Sequence, residues 1–267
     1  VRLVGSEMCI RDRGLLCIVV PNRLAQTHEQ RQMLQELKTL YESYGLSVLL
    51  DELPRSPVLY SVELSEDGAQ TAAQALLGAK AAPAGESGFE STYESELGTL
   101  HITRTGGFSA VMTGGSRVRS SEKAAEKLLR AMDFQYQTLT REQTETGAVQ
   151  IRTSQTLLGV PVLGSQLALS YTDDCLTAVE GTFYTGGSSI TRVSEQEAIS
   201  AADALAQLLA RRDALGWVGS AVTGLTQGYL PSDLAGTGIR FVPVWLVETD
   251  AGSFFINGIT REITAET

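Results

Sequence analysis

The chain is poor in the residues that build reaction centres. In 267 residues there are two histidines, His28 and His101, and three cysteines, Cys9, Cys17 and Cys175. A zinc site of the usual kind needs more His and Cys ligands than these. Three thiols without a CxxC spacing define no disulfide framework and leave the redox compartment open. Basic charge is also scarce: 21 Lys and Arg stand against 31 Asp and Glu, a net charge of −10 with a pI near 4.8. A nucleic-acid surface needs a basic stripe, so that class of partner is excluded. The body of the domain is for the same reason a poor match to an anionic membrane leaflet. No apolar run approaches the ~20 residues that span a bilayer.

What remains is an ordinary globular composition, 43% hydrophobic and 19% charged, with enough apolar surface for one large domain or two small ones. Residues 1–13 (VRLVGSEMCIRDR) have no periodicity and read like translated sequencing-adapter sequence, so they are set aside from the fold argument. Gly14–Val20 is a short uncharged apolar run ending at Pro21, readable as a buried strand or as the tail of a membrane anchor. From Asn22 to Tyr44, Met33, Leu34, Leu37, Leu40, Tyr41 and Tyr44 recur at helical steps, with Gly45 as the stop. That helix either packs on its own domain or forms a juxtamembrane stalk.

Beyond it the spacing predicts strands at Leu46–Leu50 and Val58–Leu64, a helix over Glu66–Leu77, and a small-residue loop over Ala79–Gly88. Strands follow at Phe89–Tyr93, Thr99–Arg104 and Ala110–Met112, broken by glycine pairs. A second helix opens at Ser120 or Ser121 and presents Ala124, Ala125, Leu128, Leu129 and Met132 on one face. Strands Phe134–Thr140, Val149–Leu157, Val160–Tyr171 and Leu176–Tyr184 come next. Ser194 with Glu197 reads as a capping box for a third helix, its C-terminus marked by Arg211 and Arg212. Strands Trp217–Tyr229, Ile239–Glu248, Phe254–Ile256 and Ile259–Ile263 close the chain, with a hairpin turn at Asp250-Ala251-Gly252. Trp245, Phe254 and Phe255 need a covering layer that the hairpin lacks, and the upstream helix is the candidate. The expectation is an α+β fold of repeated helix-plus-antiparallel-meander units in two lobes, preceded by a long N-terminal helix. Its divisions are 1–21 (N-terminus and anchor remnant), 22–45 (juxtamembrane helix), 46–118 (first α/β unit) and 119–267 (two further units).

Candidate reaction groups are few. His101, placed in an edge-like strand, reads as a surface histidine. Cys175 follows Asp173-Asp174, and a nucleophilic thiol needs a base or an electropositive setting, which acidic neighbours do not supply. Asp173, Asp174 and Asp250 sit where turn geometry already accounts for an Asp. The pairs Gly106-Gly107, Gly114-Gly115 and Gly186-Gly187 lack the context of a phosphate loop. Ser116-Arg-Val-Arg119 is a basic cluster before a helix, a weak anion contact at most. No catalytic, cofactor-binding or metal residue is assigned, no cofactor is expected, and no small-molecule substrate is inferred.

Two stretches carry a resemblance. Residues 158–169 (LGVPVLGSQLAL) are similar to the "nGvPVfgg" strand of propeptide-type and PepSY-like modules. Residues 243–257 (PVWLVETDAGSFFIN) resemble their closing "P-x-W-x-x-x-T-x-x-G-x-x-y-x-N" hairpin, with Arg261 where Gly usually follows Thr260. With the apolar run, the helix over 22–44, and the passages at 45–48 (GLSV) and 51–57 (DELPRSP), the chain from about Gly14 resembles the YycI/YycH family. That resemblance implies a non-enzymatic, single-pass membrane protein with an extracytoplasmic domain. Its implied partners are the sensor histidine kinase of a two-component system governing the Gram-positive cell wall, and a paralogous regulator. The other reading is a PepSY-like inhibitory or chaperone module for a secreted peptidase. A third, a hydrolase, requires Cys175 and His101 within hydrogen-bond reach.

Overall fold

The computed structural model describes residues 28–266 except 55–56, 65–67, 88–89, 114–117, 144–147, 188 and 233–238. The fold is α+β, with a mostly antiparallel sheet and five helices among the described residues.

The first helix, α1, covers 28–43; the expected start at 22–27 lies outside the described residues. Short strands β1 (Ser47–Val48) and β2 (Val62–Leu64) lead to α2 (Ala69–Leu77). A four-strand antiparallel meander follows: β3 (Ala82–Glu86), β4 (Glu90–Ser95), β5 (Gly98–Thr103) and β6 (Gly107–Met112). After α3 (Glu122–Ala131) comes a second: β7 (Tyr136–Gln143), β8 (Val149–Leu157), β9 (Val160–Thr172) and β10 (Cys175–Thr182). Strand β11 (Ile190–Arg192) precedes α4 (Ala201–Ala210) and the single turn α5 (Arg212–Leu215). The last meander is β12 (Ala221–Ser232), β13 (Ile239–Thr249), β14 (Gly252–Asn257) and β15 (Ile263–Ala265).

Strand β6 pairs antiparallel with β10, so the first two meanders join through their last strands in the order β3-β4-β5-β6-β10-β9-β8-β7. The sheet therefore crosses the expected division between 118 and 119. Helices α2 and α3 seal one face with Leu76, Leu77, Leu128 and Leu129 against Leu100, Phe108, Ile151 and Leu169. In the other half β2 and β11 extend β13, and β1 lies parallel to β12. Helices α1 and α4 cover Trp245, Val247, Phe254 and Ile256 there, which supplies the layer that Trp245 and Phe254 need; Phe255, paired with Leu246, lies on the other face and outside this core. One parallel bridge, Tyr229 to Val162, joins the halves, and a third cluster around Val62, Val162, Tyr184, Tyr229 and Phe241 fills the joint.

Several sequence expectations are corrected. Ala82–Glu86 is a strand rather than a loop; its small residues and Pro83 hide a ladder broken by a register shift between Pro83 and Gly85. The third helix starts at Ala201: Ser200 and Asp203 form the capping box, while Ser194 Oγ accepts from the Ser61 amide at 2.9 Å. Residues 258–260 turn, and only Ile263–Ala265 pair as the last strand. His101 lies in β5, which is flanked on both sides by β4 and β6 and is not an edge. Helix α2 ends at Leu77 as its Gly78 stop requires, and its described start is Ala69.

Candidate functional site

The titratable side chains are dispersed. His101 Nδ1 sits 2.9 Å from Glu90 Oε1 and 3.1 Å from Thr92 Oγ1, both on the neighbouring strand β4, and the pair is exposed. This cross-strand contact escaped the sequence reading; the register Thr92 opposite His101 puts Glu90 on the diagonal. Cys175 is half-buried at the start of β10, with Arg119 Nη1 4.0 Å from its sulfur. His101 lies opposite Ser109, and Ser109 opposite Glu180, so Cys175 is two strands over and five residues along, roughly 20 Å away. The Cys–His arrangement that a hydrolase requires is not assembled. His28 is exposed at the described start of α1.

The aspartates act as latches. Asp173 and Asp174, at φ 50° and 61°, form the two-residue turn between Thr172 and Cys175. The Asp174 carboxylate accepts from the Ser120 hydroxyl and amide, which together with nearby Arg119 hold its pKa below the ordinary carboxylate value. Asp250 does the same for the start of β12: it accepts from the Ser220 hydroxyl at 2.7 Å and from the Ser220 and Ala221 amides, and its pKa is lowered by those bonds. Each carboxylate is spent on one loop. Among the described residues no group of three or more His, Cys, Asp or Glu could hold a metal ion. Gly114, Gly115, Ser116 and Arg117 lie outside the described residues; Arg119 pairs with Asp174 at 3.6 Å.

The two stretches singled out in the sequence build turns and ties. Leu158 (φ 53°) and Gly159 (φ 78°) form the turn that sets Leu157 opposite Val160. Ser165 donates to Gln155 Oε1, which also accepts from the Tyr184 amide, a fully buried network. Trp245 Nε1 donates to the Ile199 carbonyl at 2.9 Å, tying β13 to the approach of α4. Thr249 Oγ1 donates across the hairpin to Gly252 O at 2.6 Å. Asn257 Oδ1 accepts from the amides of Ile259 and Thr260, and the chain then passes through Arg261 at φ 62°. Burial raises the phenols of Tyr171 and Tyr229 to about 12, as expected of neutral core hydroxyls.

Helix α1 carries one buried and one exposed apolar stripe. Leu34, Leu37 and Tyr41 are buried against α4 and its sheet, and the Tyr41 hydroxyl donates to Leu205 O at 2.7 Å. Burial raises that phenol's pKa. The expected single apolar face is in fact two stripes, since Met33, Leu40 and Tyr44 are 46%, 42% and 61% exposed. Gln35, Glu36, Thr39, Leu40 and Ser43 line a shallow, solvent-open groove beside that outer stripe. Among the described residues no helix is long and apolar enough to cross a membrane.

The fold and these surfaces define an α+β protein with two helix-covered sheet regions. No protein-family model matches the chain, and no curated protein matches it. Among solved structures it is similar to an uncharacterized protein from Eubacterium rectale, with a TM-score of 0.51 at 9% identity, over 83% of this chain and 90% of that one. At that identity the likeness is one of fold.

Proposed function

We propose that this chain is a non-enzymatic regulatory domain acting by protein contact at the outer face of a bacterial membrane. In this reading it biases a sensor histidine kinase of a two-component system for cell-wall homeostasis, as YycI/YycH proteins do. The observation that carries the proposal is α1: one stripe is locked to the domain through Tyr41, while Met33, Leu40 and Tyr44 stay open to a partner helix. A partner on that stripe pushes on α4 and the sheet beneath rather than on a free tether. A coupling of about 1–3 kcal/mol suffices to bias a kinase between states.

The PepSY-like part of the reading has its own support. A helix followed by four antiparallel strands occurs at α2, α3 and α4, which we read as three such units in two lobes. Arg261 holds a left-handed backbone at the position where the PepSY-like pattern has Gly. The membrane anchor and a paralogous partner rest on the resemblance alone. The test is affinity capture with this chain from detergent-solubilised membranes of its host. Wild type is expected to retain a sensor histidine kinase, and Met33→Glu with Leu40→Glu to reduce capture about tenfold. Capture of a secreted peptidase instead would replace this reading with the inhibitory or chaperone module. Capture of neither would end both.

A further inference from the structure

Strand β13 reads Arg240-Phe-Val-Pro-Val-Trp-Leu-Val-Glu248, seven apolar residues without alternation. Such a run belongs to a strand covered on both faces. Here helices cover one. Phe241, Trp245 and Val247 point into the cores shared with α1, α4 and the joint between the sheets. Their neighbours Val242, Val244 and Leu246 therefore lie on the opposite face. Phe255 is directly opposite Leu246, so it shares that face. On β12 the same face is lowered by glycines: a Cβ at Gly228 would meet the Leu163 side chain, and one at Gly224 would meet the Glu248 carboxylate. Leu230, two residues beyond Gly228, completes the patch. Val242, Leu246, Phe255, Leu230 and Leu163 are half-buried and belong to none of the three hydrophobic cores. The open face of the other sheet is different, with Thr92, His101, Ser109, Glu180, Ala168 and Arg152 in one cross-strand row.

We propose that this apolar face of the β12–β13–β14 sheet is a homodimer interface, covered by the same face of a second copy. The charges select that occupant. Arg240 stands at one end of β13 and Glu248 at the other, on the same face as the patch and roughly 27 Å apart. Glu248 has no ion pair among the described residues, and Arg240 reaches Glu63 only at 3.9 Å. A two-fold axis between the faces and across the strands sets the two β13 strands antiparallel, placing each Arg240 against Glu248 of the other copy. Val242 of each copy then faces Leu246 of the other, as an isologous contact requires, while Val244 between them is already buried within its own chain.

Sedimentation equilibrium of the full chain tests this. A reversible dimer is expected, with Leu246→Lys and Phe255→Lys each raising the dissociation constant about tenfold or more. Arg240→Glu and Glu248→Arg should each weaken the dimer through like-charge contacts, and the double charge swap should bring it back to within about threefold of wild type. Melting curves of all variants separate lost association from lost folding. A monomer up to several hundred micromolar, or a dimer indifferent to Leu246→Lys, overturns the proposal. Failure of the swap to restore what the well-folded single variants lost overturns it too. So does a monomer that uses this face to bind lipid vesicles or another protein.

Discussion

Individual side chains in this molecule are used to set chain direction. Arg261 is the plainest case: at φ 62° it holds a conformation that costs a residue with a Cβ about 1 kcal/mol, and its amide bonds Asn257 O. Arg261→Gly should therefore raise stability by roughly 0.5–1 kcal/mol, read as a higher melting temperature, whereas most surface substitutions leave it unchanged. A lower melting temperature would mean that the guanidinium has a role its backbone does not reveal. Asp174 and Asp250 make a prediction in pH. Both have folded pKa values below the ordinary one, so their contribution is present at neutral pH and is lost as pH falls through the depressed values, below about pH 4. The Asp174→Asn, Asp250→Asn double variant should melt lower at neutral pH and lose part of the wild type's decline in acid. An unchanged acid decline would contradict the latch role.

At the scale of elements, the sequence was most legible where bulky β-branched residues alternate, as in Val149–Leu157, whose strand limits agree with the reading. It was least legible where small residues pair at an edge, as in Ala82–Glu86, because Ala and Gly carry no periodicity. The third helix was misplaced for a different reason. Ser194-x-x-Glu197 has the spacing of a capping box, but Ser194 is spent on the Ser61 amide and Glu197 accepts from the Tyr60 hydroxyl. Ser200→Ala should accordingly cost about 1 kcal/mol, while Glu197→Ala should leave the helix intact; far-ultraviolet circular dichroism through a denaturant series separates the two. Helix α1 shows a further limit. Periodicity finds apolar residues but does not say which of two adjacent stripes a domain will take. Tyr41→Phe, which removes the hydroxyl bound to Leu205 O, should destabilise by about 1 kcal/mol if that stripe is locked as described.

For the whole molecule, the order of helices and meanders could be read from the chain, but the joints could not. The β6–β10 pairing links residues about 70 positions apart, and the single β9–β12 bridge links the two sheet regions. No local pattern announces either. The candidate contact surfaces were half legible: Trp245, Phe254 and Phe255 called for a covering layer, but which face of FVPVWLV the helices leave uncovered emerges only in the fold. The Glu90–His101 pair needed the hairpin register.

Under the proposed function the outer stripe of α1 meets a partner protein. A photo-crosslinking amino acid placed at Leu40, in the chain expressed in its own host, reads that contact directly. A covalent adduct with a membrane sensor histidine kinase is expected, absent when the crosslinker is moved to the buried Leu37. No adduct at Leu40, or one with a secreted peptidase alone, would contradict it.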